Sequence, residues 1–228
     1  MSELAPTEGL QRGSAALDRV REAGVVPVVE IDDAERAVEL ARALLDSGLA
    51  VVEITFRTSA AASAIAAISR SHREMLVIAG TVTAPDQVKA AVEAGAQLLV
   101  APGLNPRVVQ AAGDAAVEMV PGVCTPTEVE RALEAGCSVV KFFPAEAIGG
   151  VRFLRALAAP YGPVGWIPTG GITLDLLPQY LALPSVIACG GSWIAPRAEI
   201  NAGAWASITE RARRVGDTVT RSRAHGAR

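Results

Sequence analysis

Short runs of β-branched and other apolar residues return along the chain at Val25–Val29, Val51–Phe56, Leu76–Ala79, Gln97–Ala101, Glu118–Val120, Ser138–Phe143, Val164–Ile167 and Val186–Cys189. Each is too short for a helix that buries one face, so each predicts a buried strand. Between them the apolar positions fall into a helical period, as in Asp33–Leu45, Pro85–Ala94 and Thr125–Ala135. Asp, Thr or Pro stands where these segments begin, and Gly48, Gly95 and Gly136 close them, the residue types that cap helix ends. Most strand starts lie about 20 to 26 residues apart, the length of a short strand, a helix and two turns.

Eight such units predict an α/β chain folded as a (β/α)8 TIM barrel. An open doubly wound sheet is the competing arrangement, but no G-x-G-x-x-G opens a helix here. Gly9–Glu22 predicts an extra N-terminal helix, residues 25–193 carry the barrel strands and loops, and Ala204–Arg223 predicts a closing helix. Residues 1–228 are therefore expected to form one domain. The arginines of the closing helix, Arg211, Arg213, Arg214, Arg221 and Arg223, read as a solvated face rather than a nucleic-acid patch.

Composition narrows the class of partner. Half of the residues are hydrophobic but only 4% are aromatic, so the core is built from Ala, Val, Leu and Ile. A net charge of -3 and a pI near 5.5 offer no field to gather nucleic acid or an anionic membrane, leaving a small molecule as the expected ligand. Met1–Gly9 has acids and a Pro where a signal peptide needs a basic start, and no apolar run approaches bilayer length, so a cytoplasmic location is expected. Cys124, Cys137 and Cys189 are odd in number and widely spaced, as small buried thiols would be. His72 and His225 are the only histidines, so no metal site is expected, and no sequence feature calls for a cofactor.

In a barrel, function sits where strands end and the following loops begin. Lys141 draws attention there, because the chain has only two lysines, Lys89 and Lys141, among 21 basic residues. Lys89 belongs to a polar helix, whereas Lys141 lies in SVVKFFP between apolar neighbours. In a chain that otherwise uses Arg, a buried Lys suits a task Arg cannot do, namely losing a proton and attacking a carbonyl. A lysine that snorkels to the rim or pairs with a carboxylate is the plainer alternative. In VVEITFR, strand alternation puts Glu53, Thr55 and Arg57 on one face and Val52, Ile54 and Phe56 on the other. Glu53 and Arg57 either neutralise each other or divide the work, the carboxylate moving protons and the guanidinium gripping a substrate carboxylate. Thr81 also falls at a strand end, where its hydroxyl either meets a ligand or caps a helix. Two glycine pairs, Thr169-Gly170-Gly171 and Gly190-Gly191-Ser192, follow the seventh and eighth strands, where bare N–H groups can cradle a phosphate.

VVEITFRT, AGTV, APG, VKFFPAE, PTGGI and GGSW, taken in order from about Val25 to Trp193, closely resemble the 2-keto-3-deoxy-6-phosphogluconate (KDPG) / 4-hydroxy-2-oxoglutarate (KHG) aldolases. The resemblance implies a class I lyase that needs no metal or cofactor, cleaves KDPG to pyruvate and glyceraldehyde 3-phosphate, and assembles as a homotrimer. Cleavage of 4-hydroxy-2-oxoglutarate to pyruvate and glyoxylate is a second implied activity. Carried over by motif, Lys141 forms the Schiff base and Glu53 shuttles protons. Arg57 and Thr81 hold the pyruvyl part with Phe143 packed beside it, Pro102 also contacts substrate, Thr169 meets the hydroxyl-bearing part, and Gly170, Gly171, Gly191 and Ser192 bind phosphate. Ala101, where many relatives have Ser, and Ile148, where a small or polar residue is common, depart from the pattern and bear on substrate preference. The alternatives are an aldolase for the phosphogalactonate isomer and a sugar-phosphate isomerase or epimerase on a phosphate-binding barrel.

Overall fold

Parallel strands and helices alternate along the chain, and the strands form a curled sheet. The computed structural model describes residues 14–226. The strands are β1 (Val25–Val29), β2 (Val51–Thr55), β3 (Leu76–Gly80), β4 (Leu98–Val100), β5 (Met119–Val120), β6 (Gly122–Val123), β7 (Val139–Phe142), β8 (Gly165–Pro168) and β9 (Cys189–Gly191). They pair in the order β5-β4-β3-β2-β1-β9 and, separately, β6-β7-β8, and each pairing is parallel. Parallel sheets are covered by helices on their outer face, which is why β2 and β3 are buried at every position.

Pro121 divides what the sequence presents as one strand. It brings no N–H to a ladder, but its carbonyl still accepts from the Lys141 N–H at 2.8 Å. Before it, Met119 and Val120 pair with β4, and after it Gly122 and Val123 pair with β7. The apolar run Glu118–Val120 predicts only the first of these two segments. The last strand also lies later than expected. Residues 185–187 bond to β8 through Trp166, while Cys189–Gly191 pair with β1. The Gly190-Gly191 pair, expected just beyond the strand, is thus part of it.

Helix ends follow the chemistry read from sequence. Thr125 and Glu128 form a reciprocal capping box at the start of Pro126–Glu134. Asp33 caps a short 3-10 turn that leads into Ala37–Leu45. Gly48, Gly95 and Gly136 adopt the left-handed backbone that ends a helix at low cost.

The first described helix is Ala15–Ala23, capped by Ser14, and the start of the expected Gly9–Glu22 helix lies outside the described residues. The final helix runs Trp205–Gly226. Its arginines are not uniformly a solvated face. The Arg223 guanidinium donates to the carbonyls of Glu22 at 2.8 Å and Ile187 at 3.2 Å, and Arg211 donates to the Ile194 carbonyl and pairs with Glu199. These two residues fasten the helix to the first helix and to the segments on either side of β9. Among the described residues no helix is long and apolar enough to cross a membrane.

Candidate active site

Glu53 and Lys141 stand on β2 and β7, strands far apart in the sheet order, yet Lys141 Nζ lies 3.4 Å from Glu53 Oε1. That contact spans the interior and is possible because the sheet curls. Both residues are 4% exposed, and the amine lies over the Phe143 ring, with Nζ 5.5 Å from its centroid. Gly80 makes the arrangement possible. A Cβ there would sit 2.1 Å from Glu53 Oε1, so only a bare backbone on β3 leaves space for the carboxylate. No local pattern points to this role, because the contact depends on register between two strands, Thr55 being opposite Gly80.

The expected face of β2 is only partly realised. Glu53 reaches Lys141, but the Thr55 hydroxyl donates to the Val29 carbonyl at 2.8 Å and is occupied in joining β2 to β1. Strand geometry ends at Thr55, since the Arg57 N–H turns back onto the Thr55 carbonyl. Arg57 therefore stands on the rim instead of continuing the alternation. It pairs there with Glu30 Oε2 at 3.1 Å, so Glu53 and Arg57 do not neutralise each other.

Glu30, at the exit of β1, also pairs with Arg197, which grips Asp32 through two nitrogens, and Asn201 donates to Asp32 as well. The Arg197 hydrogen bond, joined by that of Asn201, holds the Asp32 carboxyl below its usual range. Glu30 was missed from sequence, although the logic that picked Thr81 applies equally to the residue following Val29.

Thr81 has φ +57, an uncommon left-handed conformation for a threonine. It caps no helix, because the following helix, Pro85–Glu93, starts from Ala84. Pro102 lies at the exit of β4, half-buried, and its carbonyl stands 2.1 Å from where a Cβ on Gly122 would be. Thr169 is 7% exposed, and its hydroxyl has no hydrogen-bond partner among the described residues, a costly state for a buried donor unless a ligand or water meets it. The Trp193 indole nitrogen is in the same condition.

The glycine pairs gather near these groups. Thr169 bridges to Gly190, and the Ala145 and Glu146 N–H groups donate to the Thr169 and Gly170 carbonyls, tying the segment after Lys141 to the first glycine loop. Gly171 and Ser192 are exposed, Gly170 half-buried and Gly191 buried. Phe143 precedes a cis peptide to Pro144. Two surface cavities, of about 650 and 300 Å³, open instead at the amino ends of the strands and are lined by none of these residues. Cys137 lines the larger one, and burial, followed by the nearby Glu118, pushes its thiol up to about 11. Among the described residues no group of three or more His, Cys, Asp and Glu is placed to hold a metal ion.

The arrangement offers a buried amine beside a carboxylate, a guanidinium at the rim, and backbone N–H groups in two glycine segments. It can form an imine, move a proton beside it, and hold an anion at each end of an extended substrate. A family model described as KDPG and KHG aldolase matches residues 17–211. A 2-dehydro-3-deoxy-phosphogluconate aldolase of Treponema pallidum is 51% identical over 194 residues, covering 85% of this chain and 91% of that protein. A KHG/KDPG aldolase of Escherichia coli is 43% identical over 189 residues, covering 83% and 89%. The crystal structure of a KDPG aldolase from Legionella pneumophila, with pyruvate captured as a covalent carbinolamine intermediate, superposes with a TM-score of 0.84. It is 36% identical, covering 88% of this chain and 97% of that one.

Proposed function

The chain belongs to the KDPG and KHG aldolase family, and from that membership we propose that it is a class I aldolase whose chemistry runs on Lys141 and Glu53. It cleaves 2-keto-3-deoxy-6-phosphogluconate to pyruvate and glyceraldehyde 3-phosphate, with 4-hydroxy-2-oxoglutarate as a second substrate. The observation that carries the assignment of roles is the buried contact between Lys141 Nζ and Glu53 Oε1. Two ionisable groups withdrawn from water in an apolar interior are poorly explained as a stability device and well explained as reacting groups.

The neutral Lys141 amine adds to the C2 carbonyl, and the carbinolamine hydroxyl leaves as water with a proton from the Glu53 carboxyl, giving a protonated imine and a Glu53 carboxylate. Glu53, directly or through a water, takes the proton of the C4 hydroxyl as the bond between C3 and C4 breaks. The electron pair of that bond moves to the iminium nitrogen, leaving an enamine on Lys141 and releasing the aldehyde. Glu53 returns the proton to C3, and hydrolysis of the imine frees pyruvate and the amine. Arg57 binds the substrate carboxylate at the rim, exchanging part of its contact with Glu30. Thr81, Pro102 and Phe143 bound the pyruvyl part, and the free Thr169 hydroxyl meets a substrate hydroxyl. Gly170, Gly171, Gly191 and Ser192 receive the phosphate through backbone and hydroxyl donors.

We further read the curled sheet as a full (β/α)8 barrel, with the helix Ala15–Ala23 as an addition before its first strand. The strand interrupted at Pro121 supports this, as do the bridges Trp166 to Val186 and Thr169 to Gly190, which carry pairing from β8 toward β9. A single cluster of buried side chains from Leu17 to Val219 supports one domain across the described residues. Assembly as a homotrimer is carried over from the resemblance and is tested by sedimentation equilibrium.

The central test is pyruvate plus borohydride. It is expected to inactivate the enzyme and leave a reduced adduct located by mass spectrometry on Lys141. An adduct on Lys89, or none, would overturn the mechanism and favour an isomerase or epimerase. Side-by-side cleavage of the phosphogluconate, phosphogalactonate and hydroxyoxoglutarate substrates then assigns the preferred aldehyde.

A further inference from the structure

Glu146 ends the segment that begins at Lys141, and the chemistry above leaves it without a task. Its N–H donates to the Gly170 carbonyl at 3.0 Å, so it adjoins the first glycine loop. A carboxylate there bears the same charge as the phosphate assigned to that loop, which is an unfavourable pairing unless the charge is turned away.

The side chain is turned away. The Cβ position on Gly171 lies 2.8 Å from Glu146 Cβ and 3.1 Å from Cγ, and no carboxyl atom of Glu146 comes within 4 Å of it. Methylenes therefore face the loop. The carboxylate points the other way, where Oε1 accepts a hydrogen bond from the Tyr180 hydroxyl and lies 3.0 Å from the Cβ position of Gly150. Tyr180 is fully buried in the helix Leu177–Leu181. Burial, followed by its bond to Glu146, keeps its phenol protonated well above the ordinary range, so it remains a donor. No Lys or Arg forms an ion pair with Glu146 among the described residues, so the phenol is the group that orients it.

We propose that Tyr180 is a positioning residue for the anion subsite, holding the Glu146 carboxylate away from the glycine loop so that a substrate phosphate meets methylene and backbone instead of a second negative charge. The inference rests on the assignment of phosphate to the Gly170–Gly171 loop. The Glu146 backbone and methylenes pack against the loop, and the Tyr180 hydroxyl keeps its carboxylate turned from it.

The test compares wild type, Tyr180→Phe, Glu146→Gln and the double variant. KM and kcat are measured for the phosphorylated sugar acid and for its dephosphorylated counterpart, and pyruvate trapping by borohydride reports on Lys141. Tyr180→Phe is expected to raise KM for the phosphorylated substrate by about fivefold to tenfold, with kcat and trapping nearly unchanged and with a defect that shrinks as salt rises. Glu146→Gln alone is expected to keep KM near or below wild type, since its amide carries no charge. Adding it to Tyr180→Phe is expected to restore KM to within about twofold. A wild-type KM in Tyr180→Phe, or a double variant as poor as that single one, would overturn the proposal. A wild-type enzyme that traps pyruvate but does not distinguish phosphorylated from dephosphorylated substrate would instead remove phosphate from this loop, and the inference with it.

Discussion

The Lys141–Glu53 pair inside the sheet and the rim network of Arg57, Glu30, Arg197 and Asp32 are both built from opposite charges, yet they live in different media. The side chains of the first are 6% and 5% exposed, while those of the second range from 22% to 62%. The rim groups keep much of their hydration, so their mutual attraction is screened and its contribution to stability is small. The interior pair has lost its hydration, and a single contact at 3.4 Å does not return it. The number of partners runs opposite to burial, four linked groups outside and two inside. A well-satisfied surface network fixes geometry, whereas a sparsely satisfied buried pair retains the capacity to react.

The most demanding test of this contrast is Lys141→Arg, which keeps a positive charge opposite Glu53 but removes the nucleophile. Borohydride adducts should vanish and cleavage should fall by at least on the order of ten-thousandfold, while circular dichroism stays that of a folded chain. Substantial residual cleavage would mean that the pair is structural after all. Next in size is Glu53→Gln, which should still trap pyruvate yet lose cleavage by about a hundredfold to ten-thousandfold. Exchange of the pyruvate methyl protons with solvent, followed by NMR, should fall in parallel. Exchange at the original rate would place the proton shuttle elsewhere.

Gly80→Ala asks how little tolerance the interior has. The added methyl would stand 2.1 Å from Glu53 Oε1 and displace it, and a misplacement of about 1 Å costs on the order of a hundredfold in rate. The expected result is a fall in kcat with pyruvate trapping preserved; unchanged kcat would show that the carboxylate has room the structure does not reveal. At the small end is Arg197→Ala, which dissolves most of the rim network. Its urea midpoint should match wild type at high salt, and KM for pyruvate should rise only slightly as Arg57 loses the Glu30–Arg197 frame. A large loss of stability would place the rim network in the same energetic class as the buried pair.

These contrasts bear on what a sequence can disclose. Lys141 was legible because the chain uses Arg almost everywhere else, so a lysine between Val140 and Phe142 is anomalous without any structure. Glu53 was legible through alternation, a local property of β2. Arg57 was assigned correctly to a strand end but to the wrong geometry, since alternation cannot register the turn that begins after Thr55. Gly80 was not legible as a companion of Glu53, because its role exists only once β2 and β3 are in register. The same limit applies to Arg211 and Arg223. Their spacing on a helix records polarity, but the carbonyls they satisfy belong to residues as distant as Glu22 and Ile194, and no local pattern identifies which carbonyls lack donors. The places where strands form were legible from repeated apolar runs, whereas the division at Pro121, which makes nine strand segments where eight runs were read, and the extension through Gly191 depended on pairing with neighbours.

The pairing of β1 with β9 has a consequence for how the chain is made. Val25, Val26 and Pro27 lie beside Cys189, Gly190 and Gly191, so one edge of β1 has its neighbour in β9, far later in the chain. During translation β2 can reach β1 early, while the opposite edge of β1 waits until residues beyond 189 have left the ribosome tunnel. A nascent chain halted before that point carries an open strand edge rich in valine, the feature that invites pairing between chains. A chain cut before Cys189 therefore keeps the exposed edge of β1 that the complete fold covers.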